Sequence, residues 1–266
     1  MSISPHLKRI VTALIALPVI WYTIQAGGAM IFLSILLIGS VGLWEFYSLF
    51  WPHKYASLKA GGILLGGIIL YSFFKENLWL GFLGILVLFW GINLIFLFLY
   101  GSGKNKFPYQ SLLVLLAGQL YLPLMLQFFF GLSPAEILFI LGATFASDTG
   151  AFYMGRSFGK RKLWPVISPK KTWMGAFGGF LFCTLFAVGF GLFFGKTGWP
   201  LLLITGILIS LAAQVGDLFE SAIKRSLRVK DSGKVLPGHG GILDRIDGLV
   251  LSLPVYAALR TIITLF

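Results

Sequence analysis

The chain has 266 residues, of which 58% are apolar and only 11% charged, with a mean hydropathy of +0.90. A soluble domain carries about 25% charged residues, so this chain has too few to cover a water-facing surface of its size, and a bilayer must be the solvent for most of it. The formal net charge of +12 is open to three explanations, namely nucleic acid, anionic lipid or the basic bias of cytoplasmic membrane loops, and the placement of the charges decides among them.

The 26 Phe and 8 Trp suit lipid-facing surfaces and interfacial belts. Cys183 is the single cysteine, so no intrachain disulfide is available, and its apolar run marks it as a small buried hydrophobe. About 20 apolar residues are needed to cross the hydrocarbon layer. In chain order the candidate spans are 10–26, 30–50, 60–74, 78–100, 109–130, 134–154, 174–195, 199–221 and 248–266. The first is preceded by Lys8 and Arg9 and followed by no small-residue cleavage site, so it is expected to be a span and not a signal peptide. The fold class expected is therefore all-α, a polytopic membrane protein of about nine helices.

Lys8, Arg9, Lys54, Lys59, Lys104 and Lys106 collect on one side in the early segments, and the two long connections, 155–173 and 222–247, add most of the remaining basic residues. Lys75 and Lys196 stand on the other side. This asymmetry predicts a cytoplasmic N-terminus and an outer C-terminus. It also accounts for the net charge without nucleic acid. The spans within residues 1–130 carry almost no ionisable groups, and this region reads as a transmembrane scaffold of about five helices. Glu45, inside the second span, is expected to make a hydrogen bond between helices.

Residues 131–266 form the region where chemistry is expected. Six of the 9 acidic residues lie there from position 148 on: Asp148, Asp217, Glu220, Asp231, Asp244 and Asp247. Carboxylates in or beside a membrane are costly and mark function by default. Residues three apart share a helix face, so Asp217, Glu220, Ser221 and Lys224 make one polar stripe and Asp244, Asp247 and Ser252 another. Brought together, the stripes offer hard oxygen ligands for Mg²⁺, which takes one or two carboxylates and completes its shell with phosphate oxygens. The bland alternative is that these acids only neutralise nearby Lys and Arg.

Between the stripes runs Lys230-Asp231-Ser232-Gly233-Lys234-Val235-Leu236-Pro237-Gly238-His239-Gly240-Gly241. Its glycines allow close backbone approach to phosphate. His239 is placed to bind phosphate or act as an acid. The Gly-Lys-Ser/Thr ending of a Walker loop is absent.

From Ser221-Ala222-Ile223-Lys224-Arg225 to Ile242-Leu243-Asp244-Arg245-Ile246-Asp247, this run resembles the signature of the phosphatidate cytidylyltransferases, the CDP-diglyceride synthases. Asp148-Thr149-Gly150 through Gly155-Arg156, Gly159-Lys160 and Ser168-Pro169-Lys170-Lys171-Thr172-Trp173 resembles that family's other cytoplasmic motif. One position departs: the family usually has Glu after Thr-Trp, and this chain has Met174.

The resemblance implies the reaction of CTP with phosphatidate to CDP-diacylglycerol and pyrophosphate, in the inner cell membrane on its cytoplasmic side. Asp217 and Asp244 would hold the metal, with Asp247 and Asp148 next, and a second cation is conceivable. Lys170, Lys171, Lys224, Arg225, Lys230 and Arg245 would offset phosphate charge, and Ser168 and Thr172 would donate hydrogen bonds to it. Homodimerisation is implied by the resemblance alone. Two rivals stand beside this reading. An ion-coupled transporter explains the buried carboxylates but not the clustered cations. A CDP-alcohol phosphotransferase shares Asp244-Arg245-Ile246-Asp247-Gly248 but would need two further Asp residues after it, and 249–266 contains no acid. A non-catalytic scaffold leaves the polar cluster without a purpose.

Overall fold

A computed structural model describes residues 5–103, 109–233, 235 and 240–266. The chain divides into two compact units, one of Met1–Phe130 with Asp231–Leu243 and the other of Gly131–Lys230 with Asp244–Phe266.

The first unit contains α1 (Pro5–Ala26), α2 (Gly28–Phe50), α3 (Ala56–Phe74), α4 (Leu78–Gly101), α5 (Tyr109–Tyr121) and the short α6 (Pro123–Leu126). Its turns are set by local chemistry. Gly27 adopts φ 64, open to a residue without Cβ, between α1 and α2. The Asn77 side chain accepts from Leu80 N at 3.0 Å and caps α4. The fifth expected span is interrupted: α5 stops at Tyr121 and a new helix starts at Pro123, which has no N–H to continue the ladder. A 3₁₀ turn over Gln127–Gly131 follows. α2, α3 and α5 are joined through one polar cluster, in which the Tyr47 hydroxyl donates to Leu115 O at 3.1 Å. Gln119 Nε2 donates to Tyr47 Oη at 2.8 Å and to Gly62 O at 2.7 Å.

The second unit contains α7 (Pro134–Phe158), the strands β1 (Lys162–Trp164) and β2 (Ser168–Thr172), α8 (Trp173–Phe194), α9 (Trp199–Ser226) and α10 (Leu243–Ile262), whose first residue belongs to the first unit. α7 and α8 pack most closely, because a Cβ at either Gly150 or Gly178 would meet the other residue's carbonyl oxygen. Small residues permit that backbone approach, which is how membrane helices gain contact without a hydrophobic drive. At the far end, Ser133 and Glu136 form a capping box for α7. Glu136 Oε1 also accepts from Tyr256 Oη at 3.2 Å and pairs with Arg260 Nε at 2.7 Å, which fastens α10 to α7.

Seven stretches of the described residues are long and apolar enough to cross a membrane: α2, α3, α4, the run Tyr109–Gly131, α7, α8 and α9. The 22 residues of α1 and 20 of α10 also reach spanning length, although α10 carries Asp244, Arg245, Asp247 and Arg260. The long connections are shorter than expected. α7 continues to Phe158, α9 continues to Ser226 and α10 begins at Leu243, since a helix does not end where its apolar run ends. The first connection also contains an unexpected antiparallel hairpin, with Lys162 opposite Thr172 and Trp164 opposite Ser168. A strand of three residues is too short to leave a periodic signal.

Candidate active site

The hairpin, α7, α8 and α9 enclose a cavity of about 440 Å³. Asp148 and Arg156 reach it from α7, Lys170 and Lys171 from β2, and Gln214 and Asp217 from α9. Because the strand continues directly into α8, Thr172 serves as N-cap: its Oγ1 accepts from Gly175 N at 3.0 Å. Its hydroxyl is thus engaged in the helix start, and the residue is buried. Lys171 Nζ lies 2.7 Å from Asp217 Oδ2, a pair spanning β2 and α9. Ser221 Oγ donates to Asp217 Oδ1 at 3.4 Å, one helical turn on. Gln214 Nε2 is held by Ala176 O and Ser210 Oγ, each at 3.1 Å.

A second cluster joins α9 to α10. Lys224 Nζ donates to Glu220 Oε2 and, at 2.6 Å, to Asp244 Oδ1. All three side chains are at least nine-tenths buried. The second Glu220 oxygen, Oε1, is buried without a hydrogen-bond partner among the described residues. Lys224 is therefore a fixed counter-ion between two acids. α9 and α10 can approach because Gly216 has no side chain: a Cβ there would meet Asp247 O. This puts Asp247 within electrostatic reach of Asp217, Glu220 and Asp148, while its Oδ1 accepts from Gly248 N at 2.8 Å. Asp148 in turn senses Asp217, Lys171 and Arg245.

The remaining expected residues fall as follows. Ser168 begins β2 opposite Trp164 and does not line the cavity. Arg225 is occupied: its Nε donates to Ile167 O at 3.3 Å and its Nη1 to Val229 O at 3.0 Å, so it ties the hairpin turn to the end of α9. Lys230 and Arg245 are exposed. Lys234 and His239 lie outside the described residues. Ser252 is turned to backbone, donating to Gly248 O at 2.8 Å, and takes no part in the acid cluster. Two cavity residues, Arg156 and Gln214, were not among the expected site residues. Gln214 stands three positions before Asp217 on an apolar helix, so extending the polar stripe one turn back would have found it.

Among the described residues there is no group of three or more His, Cys, Asp or Glu arranged to hold a metal ion. The donor chemistry still fits Mg²⁺, because Asp217, Asp247 and Asp148 offer only carboxylate oxygens and substrate phosphates normally complete its shell. The cavity thus sets carboxylates and ammonium groups side by side, the combination that phosphate esters and a divalent cation together require.

The sequence model of the Cytidylyltransferase family matches residues 7–263. A phosphatidate cytidylyltransferase of Staphylococcus haemolyticus is 34% identical over 254 residues, covering 92% of this chain and 95% of that protein. Those of Staphylococcus epidermidis and Staphylococcus aureus are 35% identical over 251 and 252 residues, with the same coverage. A match across nearly all of the chain, and relatives of matching length above 30% identity, show that the chain belongs to the cytidylyltransferase family.

Proposed function

We propose that the protein is a phosphatidate cytidylyltransferase, which makes CDP-diacylglycerol and pyrophosphate from CTP and phosphatidate for phospholipid synthesis. The observation that carries the reading is the Lys171–Asp217 pair in a cavity bordered by further cations and carboxylates, in a chain of this family. A phosphate oxygen of phosphatidate attacks the α-phosphorus of CTP, a P–O bond forms, and the bond to the β-phosphate oxygen breaks to release pyrophosphate. Such transfers depend chiefly on alignment and charge stabilisation.

Lys170, Lys171, Arg156 and Arg245 offset the charge of the nucleotide and the lipid headgroup. Asp217 and Asp247 would hold Mg²⁺, assisted by Asp148, and Asp244 would join them on release from Lys224; a second cation is part of the same reading. The bound cation would supply Lewis-acid stabilisation of the reacting phosphates. Lys224 keeps Glu220 and Asp244 paired and oriented, and Lys230 and His239 add charge and hydrogen bonding from the glycine-rich loop. Family membership gives no support to the transporter reading.

In the same proposal α1 and α10 complete nine spans, with the N-terminus cytoplasmic, the C-terminus outside and the site on the cytoplasmic face of the cell membrane. That placement lets CTP arrive from water while the acyl chains of phosphatidate stay in lipid. A homodimer is part of the reading, since the resemblance implies one. The test follows CDP-diacylglycerol formation from labelled CTP and phosphatidate by the purified chain in detergent, with Mg²⁺ or EDTA and with Asp244→Ala in parallel. Metal-dependent product that disappears in the variant supports the reading. A folded, metal-replete sample with no product overturns it, and Met174→Glu then tells whether the departure at that position is responsible.

A further inference from the structure

Glu45 makes the expected hydrogen bond between helices, from α2 to the first residue of α10. Arg156 has no comparable task. It lines the cavity from α7 and is exposed, and its guanidinium makes no hydrogen bond or ion pair among the described residues. Lys171, on the β2 side of the same cavity, is by contrast held by Asp217. At about 100° per residue, Phe145, Asp148, Phe152 and Arg156 fall within an arc of about 80° on α7. Phe145 is 73% exposed and does not line the cavity, so in a bilayer this side of the helix meets lipid. Phe152, on the same strip and 57% exposed, does line the cavity. One strip of α7 thus belongs both to the lipid-facing surface and to the cavity wall, which leaves the cavity open sideways along it.

Phe152 lies inside the apolar run 134–154 and Arg156 just beyond it, about 6 Å further along the helix axis. An aromatic ring at acyl depth below a guanidinium at headgroup depth matches an amphiphile. Ala151, Leu163 and Leu218 extend the apolar lining, which a triphosphate cannot use. The guanidinium fork can grip two oxygens of a terminal phosphate at once. Drawing acyl chains out of lipid is costly for every methylene, so a lipid substrate must reach this cavity from the side. We propose that this edge of the cavity is the lateral entrance and headgroup site for phosphatidate. Arg156 binds the lipid phosphate and Phe152 borders the first methylenes of the acyl chains, which leaves Lys170 and Lys171 on β2 to the nucleotide. The inference rests on the proposed reaction for the identity of the lipid, and it divides the cations of that site between the two substrates.

The test uses the full chain in phosphatidylcholine nanodiscs with Arg156→Gln, Arg156→Lys and Phe152→Ala. Phe193→Ala, at an exposed position of α8 away from the cavity, is the control. One readout needs no turnover: phosphatidate with a photoactivatable group at the start of an acyl chain is cross-linked, and labelling is mapped to residues 145–156. A phosphatidylcholine probe with the same group runs beside it. The wild type is labelled there more strongly by the phosphatidate probe, and unlabelled phosphatidate competes. In Arg156→Gln that preference falls to the level of the phosphatidylcholine probe, and in Arg156→Lys part of it returns. The second readout is KM. In Arg156→Gln, KM for phosphatidate rises about tenfold or more, the usual effect of losing a charge-assisted bond, while KM for CTP stays within about twofold. Phe152→Ala moves KM for phosphatidate the same way by a smaller factor, and Phe193→Ala moves neither. Equal labelling by both probes, or none at 145–156 because a second copy of the chain covers this face, overturns the entrance. A rise in KM for CTP as large as that for phosphatidate overturns the assignment of Arg156 to the lipid. A wild type that makes no CDP-diacylglycerol refutes the reaction, and the labelling then decides the lipid site by itself.

Discussion

Lys224 Nζ lies 2.6 Å from Asp244 Oδ1, and the same ammonium holds Glu220 on its other side. Two acids share one ammonium group in a place that is at least nine-tenths buried, and the lysine stands between them. Removing one partner of a buried pair is far more costly than removing the pair.

Lys224→Met is therefore expected to destabilise the protein by about 3–5 kcal/mol, the range for breaking a buried ion pair. Thermal unfolding in detergent checks this. Combining it with Glu220→Gln restores part of the loss, because one stranded charge is then removed, and the coupling is read from the double-mutant cycle. Unfolding at the wild-type temperature in Lys224→Met would show that the cluster contributes nothing to the fold.

Lys171 should behave in the opposite way. Its pair with Asp217 is partly open to the cavity, at 25% and 36% side-chain exposure, and such pairs contribute only about 0–1 kcal/mol. Lys171→Met is expected to unfold within a few degrees of the wild type while losing about 100-fold or more in kcat/KM, as expected when a charge aimed at the transition state is deleted. Retained activity would exclude Lys171 from the chemistry.

The packing of α7 on α8 supplies a third expectation. Gly150 faces Gly178 with no room for a methyl group, because a Cβ on either meets backbone that cannot rotate away. Gly150→Ala is expected to cost about 1–3 kcal/mol by forcing the helices apart. Asp148 and the cavity wall from α7 would be displaced with it, so activity falls along with stability. Gly91, on α4, has nothing within 4 Å of its Cβ position. Gly91→Ala serves as the control and should leave both unchanged.

Much of the helical architecture was legible because a bilayer imposes long apolar runs, and each expected span has a helix beneath it. The differences arise where polarity stopped being informative. Lys224 and Asp244 lie outside the apolar spans 199–221 and 248–266, yet both are helical as their stripes implied, since backbone hydrogen bonding carries α9 and α10 beyond the apolar stretch. The pairing of Asp217 with Lys171, across 46 positions of chain, has no local signature at all. The stripe at Asp217, Glu220, Ser221 and Lys224 was readable from helical spacing, whereas the division of labour within it was not: Asp217 faces a cavity and Glu220 is sealed against Lys224. Glu45 was visible as an isolated intramembrane acid, but its donors lie 187 to 198 positions away.

That division of labour can be tested through the metal. Asp217 and Asp247 lie on helices that approach at Gly216, whereas Glu220 Oε2 is already occupied by Lys224. If Asp217 and Asp247 bind Mg²⁺, replacing either with Asn removes an anionic ligand and should raise the Mg²⁺ concentration for half-maximal activity by about tenfold or more, in line with losses seen at metal sites. Glu220→Gln keeps a hydrogen bond to Lys224 and should leave that concentration within about twofold, with its effect confined to thermal unfolding. A Mg²⁺ titration of the three variants, each started from EDTA-treated protein, separates these outcomes. Product formation that persists in EDTA would remove the metal from the mechanism. A shift in Glu220→Gln as large as in Asp217→Asn would instead move the ion to the buried oxygen of Glu220, which the described residues leave without a hydrogen-bond partner.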